Sequence, residues 1–390
     1  MIPRLIEKRA RRLARDNPVL VLTGPRQSGK TTFGRTTWPK LPYVNLEAPD
    51  HQRFAADDPR AFLDQFGRGA ILDEIQNVPE LTSYLQPVVD EAPESTRFIL
   101  TGSQNFTVRE RVSQSLAGRA AMIELMPCEW TELQKFDRSP TELYDVMFAG
   151  GYPRIHDKRL RPNEWIGSYI ANYVERDVRQ ILNVSDLVTF QTFLRLCAGR
   201  SGQLLNLSGL GADCGISHNT AKAWLSVLEA SYIVFRLAPW FRNHDKTLTK
   251  SPKLYFYDSG VLCYLLGIRE PGQIPTHPLR GAVFETWIAS EVMKSRHHAG
   301  DTRGVRFYRN RKGLEVDLVL EDGERTRLVE IKSAQTVAAD FFDALRSVDR
   351  AMPGGARELI LVYGGDENQT RSDVTVRSWT RVDRLRPTGR

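Results

Sequence analysis

A glycine-rich octapeptide near the start of the chain constrains the fold more than any other feature. It runs from Gly24 to Thr31 with the pattern G-x-x-x-x-G-K-T, and one residue separates it from the apolar run Val19–Leu22. Chance matches arise in about one chain in a hundred of this length, given a glycine frequency of about 7%. The residues after the octapeptide have a helical pattern, which lowers that frequency further. The sequence therefore predicts a phosphate-binding loop between a buried strand and a helix.

The residue types of this loop define its chemistry. Gly24 and Gly29 let backbone N–H groups approach phosphate oxygens, and the helix N-terminus that follows adds partial positive charge. Lys30 would neutralise the β- and γ-phosphates of ATP, and the hydroxyl of Thr31 would coordinate Mg²⁺. A purely structural glycine turn is the alternative. The residues predicted to bind Mg-ATP are Gly24, Pro25, Arg26, Gln27, Ser28, Gly29, Lys30, Thr31, Thr32 and Asp73.

Two adjacent carboxylates, Asp73 and Glu74, follow a second apolar run, Ala70–Leu72. At the end of a buried strand, Asp73 would hold the magnesium shell and Glu74 would polarise the water that attacks the γ-phosphate. Adjacent carboxylates also occur on ordinary surfaces, but this position downstream of the loop favours the functional interpretation. The pair suits activation of water better than positioning of a substrate hydroxyl, so it favours an ATPase over a small-molecule kinase.

Two further groups are candidates for sensing or stabilising the γ-phosphate. Polar residues follow the predicted strand that ends at Thr101; Ser103 is the first choice, with Gln104 and Asn105 as rivals. Arg119 offers a cation that can act as an arginine finger, in cis or from a neighbouring subunit. An ordinary surface arginine explains its position nearly as well. Action in trans would require a homo-oligomer.

Hydrophobic patterns divide the chain into four predicted regions. Short apolar strands alternate with helical stretches as far as about Leu125, which predicts a parallel sheet with helices on both faces. The strands are predicted at Val19–Leu22, Tyr43–Leu46, Ala70–Leu72, Phe98–Thr101 and Ala121–Leu125. The predicted regions are a P-loop domain over 1–128, a helical region over 129–189, a winged helix-turn-helix over 190–277 and an α/β domain over 278–390.

The third of these regions has the element order of a DNA-binding module. A helix, the segment Leu207–Cys214, a turn and a second helix beginning at His218 are followed by two apolar segments, as in a winged helix-turn-helix. The second helix of the pair would enter a major groove, although it carries one cation near its start. Packing against protein is the alternative role.

These motifs resemble the AAA-type bacterial and archaeal ATPases that join a P-loop domain to a C-terminal domain of unknown function. The resemblance covers nearly the whole chain. It implies a P-loop NTPase of the ASCE or AAA type and a C-terminal domain similar to PD-(D/E)XK restriction endonucleases, on either side of the helical and winged-helix region predicted from the element pattern. The motifs that carry it are 24–32, 71–76, 100–103, 116–119, 150–153, 173–177 and 284–285.

The acidic residues of the C-terminal region predict a second metal site. Glu285 lies in a predicted helix, Asp317 lies in a strand, and Glu330 and Lys332 share one face of the next strand, because side chains alternate. Asp317 and Glu330 would hold one or two Mg²⁺ or Mn²⁺ ions, with Glu285 assisting and Lys332 activating a water. A cross-strand salt bridge is the simpler explanation of the Glu330–Lys332 pair, and such folds also serve as inactive binding platforms.

Composition limits the partners without identifying one. The 390 residues carry a formal charge of +7, which is compatible with nucleic acid. The four cysteines form no C-x-x-C pair, and no apolar run approaches the length of a membrane span. The expected setting is therefore the cytoplasm, without a membrane partner or a signal peptide. The basic stretch over 1–16 is predicted to be a helix packed on the P-loop domain, with contact to DNA or a membrane surface as the alternative.

Three functions remain open from the sequence. The first is a Mg-ATP-hydrolysing enzyme that couples its nucleotide state to double-stranded DNA. The second is a metal-dependent DNase gated by ATP. The third is a nucleotide-switched module that binds a protein partner through an inactive nuclease fold.

Overall fold

The computed structural model describes residues 2–91, 97–102, 114–174, 186–240, 250–352 and 357–387, with no side-chain description at 173 and 174. The chain forms two compact units, one of residues 1–128 with 297–300 and one of 129–296 with 301–390. Within the described residues, no helix has both the length and the apolar character needed to cross a membrane.

The first unit is built on a parallel sheet. Its five described strands lie in the order β2-β3-β4-β1-β5, and every neighbouring pair is parallel, as the alternating pattern predicted. Four of these strands differ by one residue at one or both ends from the prediction, which is within the usual uncertainty of strand ends. The strands are β1 (Val19–Thr23), β2 (Tyr43–Asn45), β3 (Ile71–Asp73), β4 (Phe98–Thr101) and β5 (Ala120–Glu124).

Helices of the first unit cover both faces of this sheet. One core contains Phe62, Leu81 and Leu85, and the other contains Ile6, Ala10 and Phe33. This two-sided burial explains why all of β1 is buried and apolar runs mark the strands. The described helices are α1 (Glu7–Asp16), α2 (Lys30–Thr37), α3 (Pro49–Asp57), α4 (Pro59–Asp64) and α5 (Leu81–Glu91).

Helix α1 is a packed helix with its charges outward. Ile6, Ala10 and Ala14, spaced four residues apart, are buried, whereas Leu5 is 38% exposed. The small side chains of Ala10 and Ala14 allow close approach to the sheet. The exposed basic residues of α1 are Lys8, Arg11, Arg12 and Arg15.

The second unit begins with short helices. A buried carboxylate organises them: Asp258 accepts hydrogen bonds from the backbone N–H of Gly151 at 2.7 Å and of Val261 at 3.0 Å. Gly150 has a φ of +67°, and a Cβ there would lie 2.3 Å from Asp258 Oδ1. The motif formed by Gly150 and Gly151 therefore has a structural role, because both residues pack against Asp258. These helices are α6 (Trp130–Leu133), α7 (Leu143–Ala149), α8 (Pro153–Lys158), α9 (Pro162–Tyr169) and, later in the chain, α13 (Ser259–Leu265).

Three helices and an antiparallel hairpin follow. Side chains cap all three helices: Asp186 accepts from Thr189 N–H, Asn206 accepts from Gly209 N–H and Ser217 accepts from Thr220 N–H. Such caps satisfy N–H groups that have no partner inside the helix. The elements are α10 (Leu187–Gly199), α11 (Leu207–Cys214), α12 (His218–Ala230), β6 (Val234–Leu237) and β7 (Lys253–Phe256).

A mixed sheet completes the second unit. Its six described strands lie in the order β12-β13-β11-β10-β9-β8, with β8, β9 and β10 antiparallel and β10, β11 and β13 parallel. Residues 238–240 extend it, because Trp240 N–H donates to Phe307 O at 2.6 Å and Phe307 N–H donates to Ala238 O at 3.2 Å. The elements are α14 (Arg280–Ala299), β8 (Val305–Arg309), β9 (Glu315–Asp322), β10 (Arg325–Lys332), α15 (Asp343–Ala351), β11 (Glu358–Tyr363), β12 (Gln369–Thr370) and β13 (Val374–Ser378).

Candidate functional site

The glycine-rich loop connects β1 to α2 at the carboxyl edge of the parallel sheet. Gly24 has a φ of +136°, and a Cβ there would lie 2.3 Å from the carbonyl oxygen of Leu125. Gly29 has a φ of +94° and precedes the first residue of α2. The loop thus needs glycine at both positions for backbone reasons, and at Gly24 the close neighbour is the end of β5.

Lys30 is buried inside the loop. Its ammonium donates to the carbonyl oxygens of Gly24 at 3.0 Å and Pro25 at 2.8 Å. Burial lowers the pKa of Lys30 to about 8, while the charges of Glu74 and Asp73 act in the opposite direction. The cation is therefore held within the curve of the loop, beside both carboxylates predicted from the sequence.

Asp73 receives hydrogen bonds from three hydroxyl groups. Thr31 donates to its Oδ2 at 2.9 Å, Tyr43 donates to the same oxygen at 2.8 Å, and Thr101 donates to Oδ1. Strand β4 lies between β1 and β3, which brings Thr101 beside Asp73. A hydroxyl and a carboxylate in contact are hard oxygen donors, so Thr31 and Asp73 fit a Mg²⁺ ion shared with phosphate oxygens.

Glu74 has a strained backbone. Its φ of +58° and ψ of +49° are left-handed values that residues other than glycine rarely adopt. Its N–H donates to Thr101 Oγ1 at 3.3 Å, and the Gln76 amide donates to its carboxylate. The turn after β3 therefore directs Asp73 and Glu74 differently, which suits one carboxylate at a metal and one at a water.

Three contacting residues were missed by the sequence interpretation. Thr101 and Tyr43 reach Asp73, and the Arg4 guanidinium donates to the carbonyl oxygens of Ser28 at 3.0 Å and Met126 at 2.7 Å. Thr101 had a signal, since it ends a predicted strand beside the favoured Ser103. Tyr43 and Arg4 had no sequence signal, because their contacts depend on which segments are neighbours in the folded chain, and the sequence does not show this.

The remaining predicted residues are either outside the described part of the chain or away from this site. Ser103, Gln104 and Asn105 lie outside the described residues, as do 175–177 of the family motif. Arg119 precedes β5, whose first residue pairs with Val19 at the start of β1. It therefore lies at the opposite edge of the sheet, where it pairs with Asp90 through an Nη2–Oδ2 contact of 2.8 Å. This placement argues against the arginine finger in cis; a role in trans stays a prediction.

The C-terminal acids come together around a lysine that the sequence interpretation missed. Lys253, the first residue of β7, contacts Glu285 Oε1 at 2.9 Å, Glu315 Oε1, and Asp317 Oδ1 at 3.7 Å. Its side chain is 3% exposed. Tyr255 also donates to Glu285. Lys253 had no sequence signal, because it lies more than 30 residues before the first acid.

The other two predicted residues of this cluster, Glu330 and Lys332, pair with each other on β10. Lys332 Nζ lies 2.6 Å from Glu330 Oε1, which is the simpler salt bridge considered from the sequence. Burial raises the pKa of Asp317 well above its usual range, and the charges of Glu285 and Glu330 raise it further. Burial likewise raises the pKa of Glu330.

These residues do not fit a metal centre as they stand. Within the described residues, no group of three or more His, Cys, Asp or Glu side chains is arranged to hold a metal ion. The ammonium of Lys253 lies against three of the carboxylates instead. The predicted second Mg²⁺ or Mn²⁺ site is therefore not supported by the geometry, although the predicted acids are neighbours.

The lowered pKa of Lys30 predicts that the protein captures ATP less efficiently at alkaline pH. Only the protonated ammonium neutralises phosphate, so kcat/KM should be level below the free-protein pKa of about 8 and fall above it. Bound phosphates raise the pKa of Lys30, so kcat should begin to fall at a higher pH than kcat/KM does. Lys30→Arg stays protonated, and any residual activity should lack this limit. A profile of kcat/KM that is level through this range would contradict the prediction.

Three family models match separate parts of the chain. Residues 16–134 match the model described as AAA domain. Residues 140–272 match a domain of unknown function (DUF8612), and residues 280–382 match another domain of unknown function (DUF4143).

Similar proteins span most of the chain. It is 29% identical over 375 residues to the uncharacterized protein Rv2008c of Mycobacterium tuberculosis, which covers 94% of this chain and 81% of that protein. It is 22% identical to the uncharacterized protein MJ1544 of Methanocaldococcus jannaschii, covering 84% and 78%. The solved Walker-type ATPase PABY2304 of Pyrococcus abyssi aligns with a TM-score of 0.47 and 16% identity, covering 67% of this chain and 94% of that one.

Proposed function

We propose that this chain, whose residues 16–134 form a P-loop ATPase domain of the AAA type, hydrolyses Mg-ATP and couples its nucleotide state to double-stranded DNA through a winged-helix module. The observation that supports Mg-ATP hydrolysis best is that Lys30, Thr31, Asp73 and Glu74 lie together at one edge of the parallel sheet.

Each residue of that convergence has a role in hydrolysis. Lys30 binds the β- and γ-phosphates, and Thr31 and Asp73 hold Mg²⁺, which neutralises phosphate charge when bound. Glu74 orients the attacking water towards the γ-phosphate and acts as the general base that accepts its proton. Tyr43 and Thr101 fix the Asp73 carboxylate by hydrogen bonds.

The order of α10, α11, α12, β6 and β7 supports the winged-helix assignment. His218, Asn219 and Lys222 are exposed at the start of α12, where polar groups of a recognition helix contact base edges or phosphates. Arg236 on β6 is also exposed, although Glu229 Oε1 accepts from its Nε at 2.6 Å.

A DNA titration at fixed low salt tests this coupling. We expect double-stranded DNA to raise steady-state ATP turnover, and Lys222→Glu to weaken DNA binding about tenfold or more, because it replaces a phosphate-binding cation by an anion. Turnover without DNA should be unchanged.

Lys135→Glu, an exposed change of the same charge in the same unit, is the matched control. Turnover indifferent to DNA, with no DNA binding at low salt, would exclude the coupling and favour a nucleotide-switched protein partner. The ATP-gated DNase alternative is disfavoured by the lysine among its acids. Cleavage of DNA under Mg²⁺ or Mn²⁺ that Asp317→Ala abolishes would restore it.

A further inference from the structure

Lys253 is the most deeply buried cation of the acidic cluster. It lies in the hairpin β6–β7, whereas the carboxylates belong to α14 and β9 of the C-terminal sheet. Its Nζ lies within 4 Å of Glu285, Glu315 and Asp317, and 5.6 Å from the centre of the Phe307 ring. A single ammonium therefore joins two pieces of the fold.

The cluster needs a central cation. The charge of Glu285 is unfavourable for both Asp317 and Glu330, and Glu330 Oε2 is buried with no hydrogen-bond partner among the described residues. Buried carboxylates without compensation are strongly unfavourable. The outer cations each pair with one acid at the edge of the cluster: Lys332 contacts Glu330, and Arg309 contacts the second oxygen of Glu315 at 2.6 Å. Glu285, Glu315 and Asp317 share one buried cation, the ammonium of Lys253.

We propose that Lys253 is the resident cation of this cluster, in the place that a divalent metal would otherwise take, so that the C-terminal domain is closed to metal and tied to the hairpin by charge. The three carboxylates surround the ammonium from one side chain on α14 and two on β9. Metal and ammonium compete for the same oxygens, because each would neutralise the same acids.

This assignment is independent of ATP hydrolysis and of DNA binding, and it differs from a catalytic lysine. A catalytic lysine would act beside a bound metal, so the wild-type protein would bind metal at Asp317. A resident cation predicts the opposite: metal binds only when Lys253 is removed.

Manganese binding to the nucleotide-free full-length protein tests the assignment. We expect no Mn²⁺ site that depends on Asp317 in the wild type by titration calorimetry. Lys253→Met should create one with a millimolar or tighter dissociation constant, and Lys253→Met with Asp317→Asn should remove it again. Lys332→Met, which removes the outer lysine, is the matched control and should bind no Mn²⁺. A folded Lys253→Met that binds no Mn²⁺, or a wild type whose Mn²⁺ binding depends on Asp317, would overturn the proposal.

Thermal unfolding gives a readout without metal. Lys253→Met should lower the apparent Tm by about 10 °C, because removing one partner of a buried ion cluster is costly. Mn²⁺ should restore much of this loss. Lys253→Arg and the double variant Lys253→Met with Asp317→Asn should be more stable than Lys253→Met, and both remain informative if that variant does not fold. Equal stability of Lys253→Met and wild type would overturn the proposal.

Discussion

Glu74→Gln is expected to lower kcat for ATP hydrolysis by about 100-fold or more while leaving ATP binding intact, because the amide cannot serve as the acceptor for the proton of the attacking water. The substitution keeps the size of the side chain and its polarity. Steady-state phosphate release, together with calorimetric ATP binding, separates the two effects.

Lys30→Ala should behave differently from Glu74→Gln. It removes the buried ammonium held between Gly24 O and Pro25 O, so ATP binding and turnover should be lost together. Glu47→Gln, an exposed carboxylate change just after β2, is the matched control and should leave kcat unchanged. Retained turnover in both Lys30→Ala and Glu74→Gln would exclude this site as the ATPase centre.

The second large effect concerns stability. Asp258→Ala should lower the free energy of unfolding of the second unit by about 3 kcal/mol, because it leaves the buried N–H groups of Gly151 and Val261 without an acceptor. Gly150→Ala should be destabilising for a related reason, since its Cβ would meet the same carboxylate and its φ is positive. Thermal unfolding followed by circular dichroism measures both changes.

Asp145→Ala controls for the loss of an aspartate in the same group of helices, because Asp145 is exposed on α7. That variant should unfold close to the wild-type temperature. If Asp258→Ala matched it, the Gly-Gly motif would have to be explained by something other than its contact with Asp258.

Local patterns were sufficient to predict the residues that the structure brings together at the candidate nucleotide site. Lys30 and Thr31 follow from one octapeptide, and Asp73 with Glu74 follows from the end of one apolar run. Tyr43 could not be predicted in the same way. Its contact with Asp73 depends on β2 lying beside β3, and strand order is a long-range property that hydrophobic periodicity does not record.

The C-terminal acids illustrate the same limit with greater consequence. Alternation on β10 correctly puts Glu330 and Lys332 side by side, and Asp317 and Glu285 were expected nearby. These acids form an ion cluster instead of the predicted metal site, because Lys253 reaches them from a different part of the chain. A pattern of acids defines a charge to be neutralised, but the neutralising group is chosen by tertiary packing.

The pairing of residues 238–240 with Phe307 has a consequence for dissecting the molecule. A fragment starting at residue 278 would leave the outer side of β8 without its neighbour, and unpaired edges promote self-association. The same fragment would also lack Lys253, leaving carboxylates crowded together. A soluble C-terminal piece should therefore begin near residue 129, where the second unit starts, and one starting at residue 278 would report on aggregation and adventitious metal rather than on the native domain.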